Sequence, residues 1–484
     1  MTVACCRLAG NERTLNGASC SRHKLTRHGE EAADGAIVNY KLSIINCKLR
    51  LNQTSVLGSI VSRLRSHWHL STVSSLQLFQ LSRYSGFIVI GISYARLGIA
   101  KAEIGRFETF LWWMGLFSFF WIAGLMNSML ASYPRQSETD RRQLLFTTFC
   151  LILLLSGIAG IVQLAVGGSR LGLAYLLLNN ASYVVEYILF LQDQRRQLIT
   201  YGIVMMVVQY LLCVLPALVF GDVTYSLYGL LVAAGIKFIY IVYLLGRHTL
   251  TEFHWAKLRQ LFLLALPLML SFFVNGSAEY IDGAVVKHYF SLADFSVFRY
   301  GSREFPLFTI LAATLSMSMI PRVAEDLDLG LAAIKRESLR FMHIFFPLAI
   351  VCIIMGQWLF SLFFTIQFAE SGRIFAALML LTVPRLLFPQ TILTALHQNK
   401  LILASAVFEM CINIIASILL ASRYGMVGVA FGTVIAFVAE KILMIIILYY
   451  KHGISPVRYV ALVPFALYSS LTGFSYLVSL WINS

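Results

Sequence analysis

Apolar stretches of about twenty residues recur from residue 76 to the end of the chain, divided by short polar breaks. A stretch of that length crosses roughly 30 Å of hydrocarbon as an α-helix. The pattern predicts thirteen membrane spans, near 76–98, 109–131, 144–166, 171–191, 198–220, 224–246, 259–281, 301–321, 341–364, 374–396, 401–421, 427–449 and 459–480. The stretches are continuous rather than alternating, which excludes a transmembrane β-barrel. The longest breaks, 282–300 and 322–340, are predicted as loops, and no soluble domain is inserted between spans. The expected fold class is all-α and polytopic, with 12 to 13 membrane helices.

Loop charge tests this division, because Lys and Arg gather on the cytoplasmic side of a membrane. Arg135, Arg141 and Arg142, then Arg195 and Arg196, then Arg247, Lys257 and Arg259, then Arg322, Lys335, Arg336 and Arg340 fall in alternate breaks. The other breaks are thinner, with Lys101 and Arg106, then Arg170, none around Asp222, then Lys287 and Arg299, Arg373, and Arg423. This alternation puts the basic breaks and the N-terminal tail inside, and an odd number of spans puts the C-terminus outside. Composition agrees. Of 484 residues 58% are hydrophobic and 13% charged, with a mean hydropathy of +0.76, too little polar surface to coat a soluble globule of this size. Topology accounts for the net charge of +15, and nucleic acid is not an expected partner.

Residues 1–75 break the pattern, with ten Lys/Arg against four Asp/Glu up to residue 70 and no long apolar stretch. They read as a basic polar tail, either disordered or the product of a start codon set too early, and Asn52 in Asn-Gln-Thr reads as a chance glycosylation triplet. Among the eight cysteines, Cys150, Cys213, Cys352 and Cys411 lie in apolar stretches, and Cys5, Cys6, Cys20 and Cys47 lie in the tail without metal-ligand spacing. No disulfide framework, metal site or cofactor is expected.

A weak repeat divides the rest. Ala102-Glu103-Ile104-Gly105-Arg106-Phe107 follows the first span and Ala293-Asp294-Phe295-Ser296-Val297-Phe298 follows the seventh, both fitting Ala, acid, three residues, Phe. Tyr228-Gly229 and Val427-Gly428 open the sixth and twelfth spans in similar fashion. The expected organisation is a six-helix bundle at 76–246, a second at 259–449 and an additional span at 459–480. Parallel repeats of this kind form a cleft that rocking exposes to each side in turn.

Ionisable side chains inside a membrane are costly and need a partner, a wet cavity or a function. Tyr175, Asn179 and Glu186 share one helical face, and Ser271, Asn275, Glu279 and Asp282 form a polar stripe in the seventh span. Arg83 and Arg96 lie in the first span, Lys237 in the sixth, Arg299 and Arg303 one turn apart at the start of the eighth, and Arg385 between Pro384 and Pro389 in the tenth. Ser405, Glu409 and Asn413 share a face of the eleventh span, and Glu440 stands beside Lys441 in the twelfth. Two readings stay open for the cations: a central cavity that receives an anionic group, since guanidinium pairs with phosphate in a bidentate way, or snorkelling and interface anchoring from span ends. The candidate cavity residues are Arg83, Arg96, Glu186, Lys237, Asn275, Glu279, Asp282, Arg299, Arg303 and Arg385.

The stretch LSRYSGFIVIGISYARLGIAKAEIGRFETF, and LALPLMLSFFVNGSAEYIDGAVVKHYFSLADFSVFRYG continuing to SMIPRVAED, resemble the openings of the two halves of bacterial polysaccharide flippases of the O-antigen type. The resemblance covers about 76–450 and rests on small and aromatic residues. It implies a fold of two six-helix bundles similar to multidrug exporters of the MATE type, in an inner (plasma) membrane. It also implies a polyprenyl-diphosphate-linked oligosaccharide as substrate and polysaccharide assembly machinery as a further partner, with Arg83, Arg96, Arg299 and Arg303 matching the family's basic cavity and Asp282 its acidic position. The N-terminal tail and the odd thirteenth span depart from the family's pattern.

Three functions are weighed. A lipid-linked oligosaccharide flippase needs an electropositive cavity and no covalent chemistry. An ion-coupled exporter of organic cations favours a net acidic cavity, which the embedded cations weigh against. A membrane glycan polymerase or glycosyltransferase calls for a large outer loop or an acidic nucleotide-sugar motif, and the acid cluster of Asp326 with Asp328 near a membrane face is explained more simply by a solvated loop. The expectation is therefore a transporter rather than an enzyme, with no catalytic residues.

Overall fold

The computed structural model describes residues 72–133, 136–248, 253–303 and 306–482. The tail through residue 71, with its four cysteines and Asn52, lies outside the described residues. The first half comprises α1 (Thr72–Arg96), α2 (Lys101–Leu116), α3 (Phe119–Ser132), α4 (Glu138–Ala165), α5 (Arg170–Ala181), α6 (Tyr183–Leu191), α7 (Arg195–Phe220) and α8 (Val223–His248). The second comprises α9 (Trp255–Tyr289), α10 (Leu292–Gly301), α11 (Pro306–Glu325), α12 (Leu327–Phe363), α13 (Ala369–Met379), α14 (Thr382–Arg385), α15 (Pro389–Ala395) and α16 (Asn399–His452), followed by α17 (Leu462–Ile482). Among the described residues, nine helical stretches are long and apolar enough to cross a membrane, and the bent pair α2–α3 brings them to ten. One of them, α16, is 54 residues long and turns at Gly425 (φ 64°, ψ −146°), a conformation that glycine adopts without a Cβ clash. Its two arms then pack closely, with Gly432 against Ser417 and Gly428 against the Leu420 carbonyl. The protein is a multi-pass helical membrane protein.

Where spans are broken, local chemistry explains the break. The 46° bend between α2 and α3 falls at Ser118, whose hydroxyl donates to the Met114 carbonyl at 2.6 Å. Such back-bonding competes with the helical ladder and bends helices. Ser182 does the same between α5 and α6, donating to the Asn179 carbonyl at 2.6 Å. The tenth predicted span becomes three short helices, because Pro384 and Pro389 each lack the N–H that a continuous helix needs.

The two long breaks predicted as loops are helical instead. Residues 282–289 extend α9, and Ser291 and Asp294 then form a capping box that starts α10. Asp326 caps α12 by accepting from the Leu329 amide at 2.9 Å, and the polar run that follows is the exposed face of an amphipathic helix, with Glu337 paired to Arg340 at 2.9 Å. Charge alone made these segments resemble loops.

Both halves pair their helices in the same order. In the first, α1 packs on α7, α4 on α5, and α5 on α8; in the second, α9 packs on α16, α12 on α13, and α13 on α16. The halves meet where α3 lies along α9 and α2 lies against α10. Glycines allow that approach: a Cβ at Gly124 would fall 2.6 Å from the Met269 backbone, and one at Gly105 would overlap the Leu292 carbonyl. Gly105 belongs to the first copy of the repeated motif and Leu292 immediately precedes the second, so the two copies touch.

Candidate functional site

A cavity of about 740 Å³ opens beside this seam. Its wall combines the first-half helices α1, α2 and α5 to α8 with α9, α10 and parts of α13, α14 and α16. Five cations line it, Arg83, Lys237, Arg299, Arg303 and Arg385, against three carboxylates, Glu186, Glu279 and Asp282.

Most of these charges are held by a partner. Arg83 lies 3.4 Å from Glu186 and 4.9 Å over the Tyr183 ring, which fixes the guanidinium between α1 and α6. Arg299 donates to Glu279 at 2.9 Å. Arg303, just past the end of α10, donates to both oxygens of Glu108 at 2.7 Å and to the Phe87 carbonyl at 3.4 Å. It thus ties the second half to both α1 and α2. Glu108 is only 1% exposed and also lies 4.0 Å from Arg299, so one carboxylate serves two guanidiniums. Lys237 donates to the neutral Gln209 amide oxygen at 2.8 Å, the one hydrogen bond found for it among the described residues. Arg385 lies 5.9 Å over the Phe437 ring.

Asp282 differs from the other two carboxylates in meeting hydroxyls rather than cations. Ser417 donates to it at 3.3 Å and Thr433 makes a second, close hydrogen bond. Asn413 donates to Thr433 at 3.2 Å, and its own Oδ1 is buried without a partner. A cluster of this kind has the oxygens to hold a proton or a small cation at the cavity wall. Among the described residues no group of three or more His, Cys, Asp or Glu has metal-binding geometry.

Of the ten residues singled out from sequence, nine lie on this wall: Arg83, Glu186, Lys237, Asn275, Glu279, Asp282, Arg299, Arg303 and Arg385. Arg96 does not. Thirteen residues beyond Arg83, roughly 20 Å along the helix, it donates to the Phe363 carbonyl at 3.1 Å and to that of Leu362, the exposed C-terminal end of α12. Cations suit that place because the last carbonyls of a helix lack partners. Sequence reasoning missed Glu108, which sits one residue before the predicted second span. A signal existed: the offset that lays Ala102 on Ala293 also lays Glu108 on Arg299, an acid opposite a base. Gln209, the partner of Lys237, was missed as well.

No family model matches the chain, and no curated protein does. Solved structures do. The lipid II flippase MurJ, in an inward closed conformation, is similar with a TM-score of 0.58 at 15% identity, over 84% of this chain and 98% of that one. A multidrug resistance MATE family transporter of the MOP superfamily, in an outward-facing conformation, is similar with a TM-score of 0.52 at 15% identity, over 79% of this chain and 96% of that one. At such identities the likeness is one of fold: the chain has the helical architecture shared by these flippase and multidrug-transporter structures.

Proposed function

We propose that this protein is a flippase that carries a polyprenyl-diphosphate-linked oligosaccharide from the inner to the outer leaflet of a plasma membrane, for surface polysaccharide synthesis. The observation that carries this reading is the excess of cations in a membrane-embedded cavity, five against three carboxylates on its wall, with Lys237 hydrogen-bonded to the neutral Gln209 amide. A diphosphate offers the complementary charge, and guanidiniums bind phosphate oxygens with charge-assisted, directional bonds. The sugar fits the polar wall of Asn179, Asn180 and Asn275, while the prenyl tail stays in lipid. The likeness in fold to a structure named as a lipid II flippase supports the same class of substrate.

On this reading, the domains act as two rocking bundles, 76–246 and 259–449, with the last span beside the second. The seam along α3 and α9 is the surface on which they rock. Arg303 bridges the halves through Glu108, and a diphosphate arriving at Arg303 competes with that carboxylate. Ligand binding therefore loosens an interaction between halves, the kind of differential contact that alternating access requires.

The three wall carboxylates and the fold shared with a multidrug transporter support a second reading, export of organic cations. Reconstitution separates the two. In vesicles with a labelled polyprenyl-diphosphate sugar in one leaflet, the wild-type chain is expected to equilibrate the label between leaflets, and the pair Arg299→Ala with Arg303→Ala to abolish this. Unchanged flipping in that variant at equal protein level would remove the basic cavity from the account.

A further inference from the structure

The eleventh and twelfth spans, the two arms of α16, carry a second set of polar groups away from the cavity charges. Ser405, Glu409, Asn413 and Ser417 follow one another at four-residue spacing, and all are buried. Four-residue spacing stacks side chains on one face of a helix. Asn413 and Ser417 face Thr433 and Asp282 at the cavity wall, so the stripe runs from there toward the Lys400 end, which the basic loops mark as inside.

Glu409 stands in the middle of this stripe. It is 6% exposed and makes no hydrogen bond or ion pair among the described residues. Ser405, one turn away and 0% exposed, has a hydroxyl without a partner, and the Oδ1 of Asn413, one turn the other way and also 0% exposed, is likewise unpartnered. Leaving buried polar atoms unpaired costs about 1–3 kcal/mol each, and two of them flank the Glu409 side chain one turn to either side, which marks a place that a ligand completes.

The charges around Glu409 identify that ligand. Asn413 donates to Thr433 across the two arms of α16, which sets Glu409, one turn before Asn413, opposite the stretch after Thr433 that carries Glu440 and Lys441, while Asp282 from α9 meets the same stripe through Ser417 and Thr433. Lys441 is committed to Glu440 at 2.8 Å. Arg385 on α14 lies over Phe437, α15 carries no charged residue, and α13 holds Glu370 and Arg373 in its opening turns. Two carboxylates thus face one ammonium. The ammonium repels a metal cation at the same point, whereas a proton neutralises the second carboxylate without needing further ligands.

We propose that Glu409 is a proton-binding site, in which a proton taken from water at the inside end forms an O–H bond on the Glu409 carboxylate and leaves Lys441 to Glu440. Loss of that proton back to water leaves Glu409 anionic and draws Lys441 away from Glu440, which shifts one arm of α16 against the other. Because Thr433 and Phe437 on that arm line the cavity, protonation there regulates the cavity. This last step rests on the flippase reading; the proton site itself does not.

Infrared difference spectroscopy of the purified full chain in lipid nanodiscs, across a pH step and without substrate, tests it. The wild type is expected to show the stretching band of a protonated carboxylic acid at neutral pH, and Glu409→Gln to lose it while melting within a few degrees of wild type. Lys441→Met is expected to enlarge the band, because Glu440 then also takes a proton. A Glu409→Gln chain that keeps the whole band, or a wild-type band abolished by sodium at constant pH, overturns the proposal. Should Glu409→Gln fail to fold, Glu409→Asp decides instead, a protonated-acid band that does not shift in frequency counting against the site. A missing band leaves the flippase reading standing, and a failed flipping assay leaves the proton site standing.

Discussion

Helices α2 and α10 hold corresponding places after the first and seventh spans, and both begin with an acid in the first turn, Glu103 in one and Asp294 in the other. One residue past the shared Phe position the likeness inverts, for Glu108 in α2 corresponds to Arg299 in α10. Because the two helices pack against each other, these residues face across the line where the halves meet, 4.0 Å apart. Had the repeat stayed faithful, two like charges would meet there in a low-dielectric site, which costs several kcal/mol. The difference teaches that the repeat supplies the frame and the close helix contact, while the chemistry comes from where the copies diverge. Arg303 then adds a second guanidinium to the same carboxylate, and Glu279 pairs with the first at 2.9 Å.

Removing the acid should break this comparison most severely. Glu108→Gln leaves two guanidiniums with a shortened set of partners in a buried site, and breaking a buried pair of this kind costs about 3–5 kcal/mol. A fall in melting temperature of the detergent-purified protein measures it. The exchange Glu108→Arg with Arg299→Glu sharpens the point: it should not recover that loss, because it sets a guanidinium against Arg303 and a carboxylate against Glu279, and full recovery would mean that the Glu108–Arg299 contact alone holds the site. Next in size is Arg303→Ala, which removes a charge-assisted contact to the ligand of about 1.5–3 kcal/mol, or roughly ten- to hundredfold in affinity. Titration with a polyprenyl diphosphate reads the change. Lys237→Met should weaken the same titration by about tenfold and leave melting unchanged or raised, because an ammonium bonded only to an amide stabilises little at this depth. Smallest is Arg96→Gln. Its guanidinium caps the end of α12 outside the cavity, so flipping should stay within twofold of wild type and stability should fall by less than about 1 kcal/mol.

The spans themselves were legible, because lipid leaves so few ways to satisfy a backbone that a twenty-residue apolar stretch is almost a direct statement of structure. Nine cavity positions were legible for a related reason: Asn275, Glu279 and Asp282 recur at helical spacing inside an apolar stretch, and a polar face that lipid rejects must turn toward a wet interior. What the sequence hid was non-local. Arg96 and Arg83 look alike along the chain, and only the position of the α12 carbonyls separates their roles. The helical nature of 282–300 was hidden because the capping box at Ser291 and Asp294 restarts a helix inside a polar run that otherwise resembles a loop. Glu108 fell at the edge of a predicted span, where an acid reads as an interface residue, although the internal repeat placed it opposite Arg299.

The central claim is that the cavity selects an anionic lipid-linked group over an organic cation. Competition binding to the purified protein measures this directly, with a polyprenyl-diphosphate sugar set against a lipophilic cation and either ligand displaced by the other. The account predicts that the diphosphate lipid binds, that the same lipid lacking its diphosphate does not, and that Arg299→Ala with Arg303→Ala removes binding. Tight binding of the cation, indifferent to those arginines and lost instead in Glu186→Gln or Glu279→Gln, would contradict it.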